Sequence, residues 1–160
     1  MTRQCCCVMI GFLLWASMSS AAGDEEAIEQ VLLAEAKSAA MFAETRDKQA
    51  VLKLYTADYS GVQDGEAETR DSIEKWLSEY GAALEEGSRV HFLAAVSNLK
   101  TAISGSTAWA TYDYVFQAIK NGELDGQEHG KCTSILRKER SAWLIRHEHC
   151  SKTKPQGMER

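Results

Sequence analysis

A chain of 160 residues with 44% hydrophobic and 26% charged side chains has the size and balance of one globular domain. Its net charge of −5, with no basic patch interleaved with aromatics, excludes a nucleic-acid-binding role. The sequence also lacks a glycine-rich phosphate loop, a Gly-x-Ser-x-Gly nucleophile elbow and a Cys-x-x-Cys pair, which leaves nucleotide, serine-hydrolase and thiol-redox chemistry without a motif.

Residues 1–22 read as a secretory signal, with Arg3 in the n-region, an apolar run from Cys5 to Trp15, and small residues at Ser19-Ser20-Ala21-Ala22 for cleavage after Ala21 or Ala22. That apolar run is shorter than the roughly 20 residues a membrane-spanning helix needs. The expected product is a domain over residues 23–151 with a flexible tail at 152–160, periplasmic or secreted, and free of the membrane once the signal is cut. Cys5, Cys6 and Cys7 leave with the signal, so the domain keeps only Cys132 and Cys150.

Beyond the acidic start Asp24-Glu25-Glu26, which suits a helix N-terminus, Ile28, Val31, Leu32, Ala36, Ala39, Phe42 and Ala43 recur at three- and four-residue steps. This predicts an amphipathic helix over Glu25–Glu44, with Glu35 the one charged residue at the edge of the stripe. Asp47 caps a second predicted helix carrying Val51, Leu52, Leu54 and Tyr55 and ending near Tyr59-Ser60-Gly61. Asp64-Gly65 marks a turn. Asp71 and Glu74 form a capping box for a third helix carrying Ile73, Trp76, Leu77, Tyr80 and Leu84, which Gly87 stops.

After Gly87 the period becomes two. Arg89–Ile103 reads as a long strand with a bulge near Ser97-Asn98, and Gly105-Ser106 as a turn. In the next strand Ala108, Ala110, Tyr112, Tyr114, Phe116 and Ala118 share one face and are assigned to the helices, because alternate strand residues point to opposite sides. Asn121-Gly122 and Asp125-Gly126 mark a hairpin loop. Gln127–Lys138 returns, Glu139-Arg140-Ser141 turns, and Trp143 to Ser151 forms the last strand. The fold class is α+β: three N-terminal helices packed as a cone in a curved antiparallel sheet of about four to six strands.

Tyr55-Thr56-Ala57-Asp58-Tyr59, Asp64-Gly65, Ala108–Gln117 and the terminal Trp143…His147-Glu148-His149…Ser151, in this order of elements, resemble the nuclear transport factor two-like superfamily over roughly Glu26–Ser151. That group includes SnoaL-like cyclases, ketosteroid isomerases and the association domain of calmodulin-dependent kinases. The resemblance implies a cone-shaped fold and a homodimer through the sheet. It does not select an activity, because one fold hosts many.

Against the isomerases, Asp64 falls at the position of the base that moves a proton beside a carbonyl, a role that needs a raised pKa. The oxyanion tyrosine position holds Ala39 and the neighbouring acid position falls near Thr133, so the isomerase partners are missing. Against the kinase association domains, the anion-binding arginine positions hold Tyr114, Ser134 and Cys150. His147 and His149 share one face of the last strand as a second pair of catalytic candidates beside Asp64. Their His-x-His spacing also suits a metal, yet no ligand set completes it, and no metal or cofactor is expected.

Arg146 and Glu148 lie on the other face; if that face lines the cone, Arg146 can meet a ligand carboxylate, and otherwise it pairs with the neighbours of Glu148 or is solvated. Tyr55, Tyr59, Trp76, Tyr80, Tyr112 and Tyr114 can line a pocket for a small apolar or aromatic ligand or can be plain core. Cys132 and Cys150 flank the last hairpin. An odd-numbered turn at 139–141 brings them to one face and permits a disulfide, whereas a two-residue turn at Arg140-Ser141 separates them. Three functions stay open: an exported small-molecule-binding domain, an acid–base isomerase, dehydratase or cyclase acting on a hydrophobic carbonyl, and an oligomeric association module.

Overall fold

The computed structural model describes residues 15–84 and 90–153. The n-region and most of the apolar run of the signal, the Gly87 stop and the tail beyond residue 153 lie outside the described residues. Three helices, α1 (Trp15–Thr45), α2 (Lys48–Leu52) and α3 (Arg70–Ala83), accompany six strands: β1 (Tyr55–Gln63), β2 (Glu66–Thr69), β3 (Val90–Ser104), β4 (Thr107–Lys120), β5 (Glu123–Glu139) and β6 (Ala142–Lys152). The strands form one sheet in the order β2-β1-β6-β5-β4-β3. All neighbours are antiparallel except β1 and β6, which run parallel because β6 returns to the middle of the sheet beside the first strand. Among the described residues no helix is long and apolar enough to cross a membrane.

The α1 helix lies along β3, and its Ile28, Leu32 and Phe42 join Leu136, Ile145, Ala108 and Ala110 in one buried core. It begins ten residues before the predicted start. Near its beginning the Asp24 carboxylate accepts from Lys138 Nζ at 2.5 Å and from Trp143 Nε1 at 3.0 Å, tying the helix to the β5–β6 end of the sheet.

Asp47 caps α2 as predicted, accepting from Ala50 N at 3.0 Å. The helix stops at Leu52, however, and Tyr55–Gln63 is a strand rather than its continuation. The reason is tertiary: Ile145 N donates to Leu54 O at 2.9 Å, and Tyr55 pairs with Ile145, so β6 recruits the segment into the sheet. A stretch rich in Tyr, Thr and Val accepts that readily. The capping box of α3 is also displaced. Thr69, not Asp71, is the N-cap: its Oγ1 accepts from Ser72 N at 3.1 Å while Ser72 Oγ accepts from Thr69 N at 2.8 Å.

Two of the expected turns fall in place. Asp64-Gly65 joins β1 to β2 with both residues at positive φ (52° and 92°), and Asn121-Gly122 joins β4 to β5 in the same way (54° and 87°), the geometry of a two-residue hairpin loop that glycine makes cheap. Asp125-Gly126 is not a loop but a bulge within β5, since Ala118 pairs with Gly126 and Ile119 with Leu124. The predicted β3 bulge is present between Ser97 and Lys100, with Asn98 at φ 53°.

The last hairpin combines features that the sequence set against each other. Glu139 pairs with Ala142, so the turn is the two-residue Arg140-Ser141. Yet Cys132 pairs directly with Cys150 and the disulfide forms, with Cα atoms 4.2 Å apart. An extra residue in β6 reconciles them: Leu136 pairs with Ile145, but Ile135 pairs with His147, leaving Arg146 bulged. One inserted residue reverses the facing of everything beyond it.

Two glycines of the sheet sit under tyrosines. A side chain at Gly130 would collide with the Tyr114 ring, and one at Gly61 with the Tyr59 ring and hydroxyl. Gly130→Ala is expected to destabilise by about 1–3 kcal/mol, the cost of overpacking, as measured by denaturant unfolding with the disulfide intact. Removing the disulfide, whose cysteines are 18 residues apart, is expected to cost about 3 kcal/mol on the chain-entropy model, read by comparing oxidised protein with its Cys132→Ser/Cys150→Ser variant.

Candidate functional site

The helix-facing side of the sheet carries a polar group in the middle of its apolar core. In one row across the strands stand Ala110, Ser134, Glu148 and Gly61; in the next, Tyr112, Cys132, Cys150 and Gln63. Glu148 is buried and accepts from both the Tyr112 hydroxyl and the Ser134 hydroxyl at 2.5 Å. From α1, Glu35 enters the same interior. It follows Ile28 by seven residues and Leu32 by three, so a helix of 3.6 residues per turn puts all three on one face. The Tyr55 hydroxyl donates to Glu35 Oε1 at 3.0 Å, and the Tyr59 hydroxyl to Glu68 Oε2 at 2.9 Å. The Tyr55 and Tyr59 rings meet edge to face at 4.7 Å.

Three carboxyls are thus held by three phenols and one hydroxyl, and among the described residues no Lys, Arg or His forms an ion pair with any of them. Loss of water then governs their ionisation, because an unpaired charge in a low-dielectric interior is costly. Glu35 keeps some exposed surface as a residue, but its carboxyl is enclosed. Burial and the nearby Glu148 charge push it up to about 8, against the opposing effect of the Tyr55 hydrogen bond. Burial likewise raises Glu148, opposed by its bonds from Ser134 and Tyr112, and raises Glu68, opposed by Tyr59. Tyr55, Tyr59 and Tyr112 are pushed up as well, first by burial and then by the acids beside them, so they stay protonated donors. A carboxyl that changes charge near neutral pH in a buried aromatic surrounding can hold or move a proton, which an exposed carboxylate does poorly.

The residues singled out from sequence divide into two groups. Tyr55, Tyr59 and Tyr112 belong to this interior, with Tyr114 half-buried one row further along β4. The others do not. Asp64 stays at its turn: its Oδ1 accepts from Lys152 N at 2.7 Å and its Oδ2 lies 3.2 Å from Lys152 Nζ. These bonds hold its carboxyl below the usual range, the reverse of the raised value a buried base requires. His147 and His149 point to the outer face, where Ser60 Oγ lies 3.2 Å from His147 Nδ1. Among the described residues no three His, Cys, Asp or Glu side chains are grouped to hold a metal.

Arg146 does not share a face with Glu148. As the bulged residue it turns outward, its Nε 3.1 Å from Asp58 Oδ2 and its Nη1 donating to Ser60 Oγ at 3.3 Å. Trp76 is 55% exposed and stacks on Tyr80 at 5.3 Å, starting an aromatic ladder that runs through Phe92 to Phe116, away from the carboxyls. Phe116 and Trp76 therefore meet through intermediaries.

Glu35, Glu68, Ser134 and Glu148 are the residues of this candidate site that sequence reasoning did not select. Glu35 carried a signal, since it is the one charge beside the apolar stripe of α1. Glu148 carried only its alternation with the histidines on the last strand, and its inward direction depends on the Arg146 bulge. Glu68 and Ser134 became relevant only through their partners on β1 and β6.

A SnoaL-like domain model matches residues 33–155, most of the chain, and the chain belongs to that family. Solved structures share the fold. An NTF2-like protein with a cystatin-like fold from Novosphingobium aromaticivorans superposes with a TM-score of 0.71 at 15% identity, covering 94% of this chain and 95% of that one. A candidate aromatic ring hydroxylase from the same organism gives 0.68 at 18% identity, covering 84% and 92%. The β subunit of benzoate 1,2-dioxygenase from Burkholderia mallei gives 0.68 at 11% identity, covering 79% and 88%. Among curated proteins no sequence matches. At these identities the structural likeness establishes the architecture alone.

The raised Glu35 value makes a pH prediction. A group whose folded-state pKa lies above its unfolded value stabilises the fold fully below the unfolded pKa and loses that contribution as pH rises through the folded one. For Glu35 the window runs from the ordinary value of 4.5 to about 8. The native protein is expected to lose stability relative to Glu35→Gln across this window, by more than about 1 kcal/mol, in denaturant melts at pH 5, 7 and 9. Parallel curves for the two proteins would show that Glu35 titrates as it does in water.

Proposed function

We propose that this protein is a small-molecule-binding SnoaL-like domain whose site is the carboxyl–phenol interior, and whose ligand is a neutral molecule with an apolar or aromatic body. The observation that carries this reading is the burial of Glu35 and Glu148 among tyrosines without a counter-ion. Such an arrangement costs folding free energy, and strongly shifted groups of this kind concentrate at functional sites. A carboxylate-bearing ligand is disfavoured, since Arg146 faces outward and the interior is already rich in acids.

A second reading, acid–base catalysis on a hydrophobic carbonyl compound, is favoured by one feature. Glu35 changes charge near pH 8, which suits a group that takes and returns a proton at neutral pH. Asp64, paired with Lys152, has no part in it. Glu35→Gln separates the two readings. With a panel of neutral aromatic ketones and phenols as probes, a binding domain keeps its affinities within a few-fold, whereas a catalyst loses about a hundredfold or more in turnover. If no member of the panel shifts the melting temperature of the native protein or is turned over, both readings fail.

The reading extends to location and assembly. Export after removal of residues 1–22 fits the early apolar run and the disulfide, which persists in oxidising compartments. Association through the outer face of the sheet fits the exposure there of Leu93 (52%), Trp109 (50%) and Ile135 (38%), the last two being cross-strand partners. Trp109→Glu is expected to convert a dimer to monomer in native mass spectrometry while leaving the melting temperature nearly unchanged. A native protein that is monomeric at micromolar concentration would remove this part of the proposal.

A further inference from the structure

The Cys132–Cys150 disulfide stands beside the interior site, and the strand register explains why. Beyond the two-residue turn at Arg140-Ser141, β5 and β6 pair regularly from Glu139 with Ala142 to Leu136 with Ile145. Continued without interruption, this register would set Ser134 opposite His147, Thr133 opposite Glu148 and Cys132 opposite His149. His147 and His149 would then enter the core, and Glu148 and Cys150 would face solvent. The bulge at Arg146 prevents that outcome. It shifts the pairing by one, so that Ser134 meets Glu148 and Cys132 meets Cys150, both pairs on the inner face.

The bulged register has costs. A bulge breaks the ladder locally, and this one buries a carboxyl that would be solvated in the regular register, as the upward shift of Glu148 records. The contacts that hold the bulge from outside are a half-exposed ion pair between Arg146 and Asp58 and the bond to Ser60, both of a weak class. From inside, Glu148 gains hydrogen bonds from Tyr112 and Ser134. The disulfide is the one covalent link between these strands, and like the Ser134–Glu148 hydrogen bond it exists only in the bulged register, because a one-residue slip places the cysteines on opposite faces.

We propose that the Cys132–Cys150 disulfide is a register lock, and that both cysteines are positioning residues which keep Glu148 in the interior site on Tyr112 and Ser134. Oxidation selects the pairing that completes the site. In the reduced chain the regular hairpin competes, carrying His147 and His149 inward and Glu148 outward. The lock concerns the same interior as the ligand reading above but does not depend on any ligand.

The test is a comparison of cross-strand contacts by NMR in the oxidised protein and in Cys132→Ser/Cys150→Ser. The oxidised chain should show contact between residues 134 and 148 alone. The double variant should lose part or all of it, gain contact between residues 134 and 147, and show imidazole titrations for His147 and His149 altered from those of the exposed rings. A double variant that keeps only the 134–148 contact, with unchanged histidine titrations, would overturn the lock. A second experiment covers a variant that does not fold. Deletion of Arg146 in that double variant makes the regular ladder itself set residue 134 opposite residue 148, so it should restore the fold and the 134–148 contact without a disulfide; a deletion that leaves the double variant unfolded or still out of register would equally overturn the lock. Because neither readout uses a ligand, failure here leaves the ligand reading standing, and failure of the ligand panel leaves the register result intact.

Discussion

The single residue added to β6 at Arg146 decides which side chains of that strand enter the cone. Before it, Trp143 and Ile145 point inward; after it, Glu148 and Cys150 do. The seam between β5 and β6 lies in the middle of the sheet, with β2, β1 and β6 on one side and β5, β4 and β3 on the other. The bonds from Tyr112 and Ser134 to Glu148 cross that seam, and so does the disulfide. The carboxyl–phenol interior is therefore assembled from two halves of the sheet that only the bulged pairing brings into step.

Around this seam the core is conventional, and the polar group within it is not. Ile28, Leu32, Leu136 and Ile145 bury apolar surface that holds helix and sheet together. Glu35 and Glu148 spend part of that stability, since acids without counter-ions are tolerated only when hydrogen-bonded and largely protonated. The phenols meet the first condition by donating to the carboxyls, and burial, which raises the carboxyls against the effect of those bonds, favours the second. The outer face shows the contrary arrangement. There Asp58, Arg137, Arg146 and Glu139 pair in the open, where each contact is screened and contributes little. Charge placement thus separates a site on the inside from a solvated network on the outside.

Much of the architecture could be read along the chain, for reasons that are local. The stripe of α1, the Asp47 cap, the Asp64-Gly65 and Asn121-Gly122 turns and the alternation of β4 each follow from a few neighbouring residues. The failures share a cause. Tyr55–Gln63 looks helical beside Val51 and Leu52 until β6 claims it, and Asp125-Gly126 looks like a loop until Ala118 and Ile119 show it to be a bulge. Asp64 drew attention as an acid at a suggestive position, but Lys152, eighty-eight residues away, determines its ionisation. Arg146 and Glu148 have the right parity for a shared face, and the bulge between β6 and β5 sets them apart.

By itself, then, the sequence determined the class of fold, the membership of the aromatic set Tyr55, Tyr59 and Tyr112, and the availability of two cysteines. These depend on periodicity and composition, which are properties of consecutive residues. Tertiary structure alone decided that Glu35 and Glu148 share an interior, that the histidines face outward, and that the cysteines meet across a two-residue turn. The last two rest on the bulged register of β6 beside β5 and the first also on how α1 packs against the sheet, and both are set by packing and hydrogen bonding across the structure rather than by any residue's own preference.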